Sequence, residues 1–130
     1  MGEGLSVHVT NADQLADVDA LLHDAAFSMA DLMFDSQLGT VEISFYANPH
    51  MHDFYFRRPF RRRSVTTEPP EDRLLTISHV ANISVEDPDG LVEHSYARLS
   101  SPETGRMTLM SNFPGWIDFE VTAIDVRLTA

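Results

Sequence analysis

The chain has 130 residues (14.6 kDa), 43% of them hydrophobic, with 20 Asp and Glu against 9 basic residues for a net charge of −11, and no cysteine. That length fits one domain with its own core, and the missing cysteine excludes disulfides, Cys-ligated zinc, iron–sulfur clusters and thiol catalysis. A pI of about 4.7 argues against general nucleic-acid binding; no apolar run approaches the roughly 20 residues of a membrane span; and without a basic-then-apolar leader the chain reads as one cytoplasmic domain over 1–130.

The first predicted element is a helix from about 11 to 24. Thr10 and Asn11 are N-cap residues, and Gln14 follows Asn11 at capping-box spacing. Leu15, Val18, Leu22 and Ala25 then recur at the helical period. Beyond them the period changes to 2. The apolar run 27–34, the turn Asp35-Ser36-Gln37-Leu38-Gly39, and Val41, Ile43 and Phe45 alternating with Glu42, Ser44 and Tyr46 predict a hairpin with one wet face. Asn48-Pro49 ends its second strand.

Residues 73–86 read as one long β run carrying Leu75, Ile77, Ile83 and Val85, bent or bulged near Val80-Ala81-Asn82. Asp87-Pro88-Asp89-Gly90 is a type I turn signal. Strands over 91–99 and 106–111 flank a turn at 100–105. After the turn Asn112-Phe113-Pro114-Gly115, the residues Ile117, Phe119 and Val121 share one face, while Ile124, Val126 and Leu128 share a face displaced by one residue. A β-bulge near Thr122-Ala123 would reconcile the two. The predicted class is α+β: one N-terminal helix packed on a curved, mostly antiparallel sheet of about six to eight strands.

Chemistry-bearing residues concentrate between strands. In His50-Met51-His52-Asp53, a strand would point His50 and His52 the same way, so that with Asp53 they could share a metal; in a loop they would be solvated. Five of the nine arginines, Arg57, Arg58, Arg61, Arg62 and Arg63, stand beside Phe54, Tyr55, Phe56 and Phe60. The window 50–63 is net +4, which leaves −15 on the other 116 residues. Arginine beside aromatics suits an anionic ligand. A polyanion would, however, meet the −15 of the remainder, so the cheaper reading is an interface with acidic surface of this chain or of a second copy in a homodimer, with a solvated loop next. All nine basic residues are Arg, which genome composition, salt adaptation or the bidentate guanidinium fork would each explain. No cofactor motif is present, and without Cys, Lys or a G-x-S-x-G elbow nucleophilic catalysis has no foothold. Asp118 and Glu120 share a strand face, the arrangement of paired carboxylates and of any wet strand.

Leu22-His23-Asp24-Ala25, followed by an apolar run, an Asp, a short turn and Val41-Glu42-Ile43-Ser44-Phe45, resembles the opening of several small bacterial families of unknown function. One related-looking group is the immunity proteins of contact-dependent toxin systems. Trp116-Ile117-Asp118-Phe119-Glu120-Val121 looks like the last strand of an uncharacterised proteobacterial family. The resemblance implies a helix followed by a β-meander and carries over no catalytic residue. Charge and resemblance together make the expected function non-enzymatic: a protein-binding module with an acidic surface, immunity- or inhibitor-like, facing a basic partner. The alternative is a small-ligand or metal-binding module using residues 50–63.

Overall fold

The computed structural model describes residues 6–23, 25–46 and 73–129. Within them the chain forms β1 (Ser6–Val9), a 3-10 turn (Ala12–Gln14), α1 (Leu15–Leu22), β2 (Ala26–Ser28), a second 3-10 turn (Met29–Asp31), β3 (Met33–Asp35) and β4 (Thr40–Phe45). There follow β5 (Arg73–Ile77), β6 (Val80–Glu86), β7 (Glu93–Glu103), β8 (Arg106–Ser111), β9 (Trp116–Val121) and β10 (Val126–Thr129). These ten strands make two five-stranded antiparallel sheets, ordered β1-β10-β5-β4-β3 and β2-β7-β8-β9-β6. The protein is mainly β with one short helix, and the expected single sheet of six to eight strands is corrected to two sheets.

The correction comes from corners. Residues 73–86 are two strands on different sheets, cut by Ser78 and by His79 in the left-handed region at φ 60°. Likewise β9 ends at Val121 and the chain crosses to the first sheet as β10, so the predicted bulge at Thr122-Ala123 is a change of sheet. The two corners brace one another: Thr122 N–H donates to His79 C=O (2.9 Å) and Ser78 N–H to Asp125 C=O (2.9 Å). A one-residue phase slip reports a bulge and a sheet crossing alike, because both reset which face looks inward. The irregularity foreseen near Val80-Ala81-Asn82 does occur, as a register shift between Val80 and Asn82.

The strand pattern itself follows the sequence closely. Val41, Ile43 and Phe45 are buried while Glu42 and Ser44 are exposed, and β3 pairs with β4 through Phe34 opposite Val41. Gly39 closes that hairpin at φ 72°, a conformation glycine adopts without a Cβ penalty, and its carbonyl accepts from Val80 N–H (2.8 Å). The run 27–34 divides, however: β2 joins the second sheet beside β7 and only β3 belongs to the hairpin. The expected strand 91–99 begins at Glu93 and runs on to Glu103, which moves the following turn to Thr104-Gly105.

The helix is shorter than the predicted 11–24. Asn11 Oδ1 accepts from Gln14 N–H (3.2 Å), and Gln14 Oε1 reaches back to Thr10 N–H (3.1 Å), a reciprocal cap that starts the turn. Leu15, Val18 and Leu22 are buried as the stripe requires, and the helix lies against β7 and β1. One core joins that stripe to both sheets. Phe27 and Phe45 meet across it at 5.1 Å between ring centroids, and Phe45 meets Tyr96 edge-on at 5.7 Å. Each such buried side chain contributes about 1.5–3 kcal/mol. Among the described residues no helix is long and apolar enough to cross a membrane.

Candidate functional site

The residues singled out between β4 and β5, namely His50, His52, Asp53, Tyr55, Arg57, Arg58, Arg61, Arg62 and Arg63, lie outside the described residues. Their flanks are fixed: Phe45 and Arg73 sit opposite one another in the first sheet. Arg73 shares the alternation of Leu75 and Ile77, and its buried Nη1 has no hydrogen-bond partner among the described residues. Among the described residues no group of three His, Asp or Glu side chains is placed to hold a metal ion. Of the Leu22-His23-Asp24-Ala25 motif, Leu22 is buried, His23 is exposed at the helix C-cap, Ala25 N–H donates to Leu22 C=O (2.8 Å), and Asp24 is outside the described residues.

What the described residues present is carboxylate surface. They hold fourteen of the twenty acidic residues but four of the nine arginines. Four carboxylates are half-buried, and each is satisfied within the fold. Asp19 accepts from the Tyr96 hydroxyl and from Leu99 N–H (3.1 Å). Asp118 accepts from Thr108 Oγ1 (2.8 Å) and faces Arg106 (3.6 Å). Asp125 meets His8 Nε2 at 2.8 Å, His79 Nε2 at 3.7 Å and Arg127 Nε at 3.8 Å. Asp87 is bound by His94 Nε2 and by the N–H groups of Leu91 and Val92. The other ten are exposed, and of these Glu103 alone has an arginine partner among the described residues, Arg106 at 3.5 Å.

The second feature, a buried polar chain through His94, leaves no mark in the residue pattern. Asp87 Oδ1 accepts from His94 Nε2 (3.1 Å), and with the ring proton on Nε2 the imidazole Nδ1 accepts from the Ser111 hydroxyl (2.8 Å). Ser111 Oγ in turn accepts from Phe113 N–H (3.0 Å). Acid, imidazole and hydroxyl in this order match the components of a hydrolase triad. The site nonetheless denies a substrate: the His94 side chain is 0% exposed, stacked on Phe27 at 5.8 Å and roofed by Gly115. Its work is to tie loops together. Asp87 also accepts from Leu91 N–H (3.1 Å) and Val92 N–H (2.9 Å), which holds Val92 in the left-handed region at φ 65°. That conformation costs a β-branched residue roughly 1–2 kcal/mol.

The Val92 N–H bond chiefly, then His94 and Leu91 N–H, hold the Asp87 carboxyl below the ordinary aspartate value of 3.8, against burial that pushes it up. A depressed carboxylate contributes stability that is present above its unfolded pKa and lost as pH falls through the folded value. The wild type should therefore lose more denaturant resistance than Asp87→Asn between about pH 6 and about pH 3. Equal losses in the two proteins would show that the loop does not depend on this charge.

No family model matches the chain, and no curated protein does. The chain is similar to a solved structure, a crystal structure of an uncharacterized protein from Neisseria gonorrhoeae. The TM-score is 0.41 and the identity 8%, with 95% of this chain and 97% of the other covered.

Proposed function

We propose that the protein is a non-enzymatic binding module whose acidic surface receives a basic protein partner, in the manner of an inhibitor or immunity protein. The observation that carries this reading is the division of the carboxylates: the four half-buried ones are satisfied internally, while among the described residues ten stand exposed with one arginine partner between them. Surface of one sign raises encounter rates with an oppositely charged partner and steers it into register. A protein that blocks a basic, phosphate-binding site needs such a surface. The polar chain through His94 supports a scaffold role, since its hydroxyl, imidazole and carboxylate are spent on loop geometry.

The test is capture of a basic protein on the immobilised chain, followed by affinity measurement with purified components. Affinity should fall tenfold or more between about 50 and about 300 mM salt, because exposed charges are screened over roughly 8–10 Å. Neutralising Asp17, Glu42 and Glu120 to the amides should lower the association rate more than it raises dissociation. A partner whose binding ignores salt, or the absence of any basic binder, sinks the reading.

A further inference from the structure

We propose that the free edge of β3 is where this partner docks, as an extended segment of mixed cationic and apolar residues that adds a strand to the first sheet. The inference rests on the binding-module reading and names its surface. β3 is one of the two outermost strands of its sheet, β1 being the other, and among the described residues no strand pairs with its far side. Such an edge offers backbone donors and acceptors to any extended chain. Proteins blunt exposed edges with bulges, covers, short strands or charges; β3 has no bulge but is three residues long and ends on Asp35, so the edge it offers is short and selective for cationic chains. β6, at the edge of the other sheet, has its register shift between Val80 and Asn82. β3 pairs with β4 in unbroken register; it opens on Met33 (67% exposed) and its loop carries Leu38 (73%), the two most exposed large hydrophobics of the described residues.

The strand and its hairpin loop line a groove of about 710 Å³ whose walls include Met33, Phe34, Asp35, Leu38, Thr40 and Glu42. Both of its ionisable residues are acidic, and exposed Asp31 stands just before the strand. Asp35 Oδ1 is engaged by Gln37 N–H (3.0 Å) and Leu38 N–H (3.1 Å), whereas Glu42 has no ion pair among the described residues. Register sets Glu42 opposite Met33 on the face away from the core. An added strand would meet apolar and negative side chains together, so its own side chains should be large, apolar and basic. Charge also decides against a second copy of this edge as occupant: two β3 edges side by side would bring Asp31 and Asp35 of one copy near those of the other.

The probe is a peptide of about eight residues alternating Arg and Leu, titrated into isotope-labelled protein, with the matching Glu–Leu peptide as control. The expected result is resonance shifts at Met33, Asp35 and Glu42 and slowed amide exchange along β3. Glu42→Arg should weaken binding about tenfold, while Glu120→Arg on the other sheet changes it less than about twofold. The proposal is overturned by shifts confined to another surface, by equal binding of the Glu–Leu peptide, by an unaffected Glu42→Arg variant, or by self-association of the wild type through β3. Its failure separates from that of the functional reading. A salt-sensitive basic partner held as tightly by Glu42→Arg as by wild type removes the groove and leaves the module. Peptide seated on β3 with no basic protein partner leaves the groove and removes the module.

Discussion

Replacing His94 with alanine should destabilise the protein by about 3–5 kcal/mol, read from denaturant unfolding. Two costs combine. The imidazole is fully buried against Phe27, so its removal leaves a void that a β-sheet interior fills poorly. The same change strips a donor from Asp87 and an acceptor from the Ser111 hydroxyl. Gly115 provides the control. A Cβ there would lie 2.6 Å from His94 Cε1 and 3.2 Å from Glu86 C=O. Gly115→Ala alone should cost about 2 kcal/mol through overpacking. In the His94→Ala background the nearer clash is gone, so the double variant should lie at least about 1 kcal/mol above the sum of the singles. Additive losses would mean that Gly115 does not roof His94.

Why the strands were legible and this polar chain was not is a matter of range. β8 matches its predicted span 106–111, and Ile117, Phe119 and Val121 are buried on one face, because alternation and turn residues act between near neighbours. Choice of sheet is not local. β2, β6 and β10 each leave the sheet of the strand before them, and nothing in Ala26–Ser28 distinguishes pairing with β7 from continuing toward β3. His94 sits in an ordinary β pattern, and its partners are 7 and 17 residues away, Asp87 in the turn after β6 and Ser111 at the end of β8, whose approach depends on the two-sheet packing. The acidic excess is plain from composition, but which carboxylates the fold consumes depends on contacts between residues distant in sequence. Asp118 and Glu120 illustrate this: they share a face as predicted, yet Asp118 is bound by Thr108 and Arg106 and Glu120 is exposed.

Asp19 carries the second large effect, because one carboxylate oxygen anchors the helix to a strand 77 residues away. It accepts from the Tyr96 hydroxyl and from Leu99 N–H, next to the point where β7 departs from regular pairing with β8 between Tyr96 and Arg98. Leu99 lies beyond Tyr96, whose N–H still reaches Ala25 C=O on the β2 side, and its own N–H goes to Asp19 instead. Asp19→Ala orphans both donors and should cost about 2–4 kcal/mol. Tyr96→Phe removes one donor and leaves Asp19 its bond to Leu99, so it should cost about 1 kcal/mol. Burial first, then the adjacent Asp19, push the Tyr96 hydroxyl far above the ordinary tyrosine value of 10.0. A neutral form favoured in this way gives stability that is whole below pH 10 and lost as the solution becomes more alkaline. Alkaline unfolding should therefore set in later for Tyr96→Phe, relative to its own neutral-pH stability, than for the wild type. If Asp19→Ala and Tyr96→Phe proved equally mild, the helix would owe its position to Leu15, Val18 and Leu22 alone.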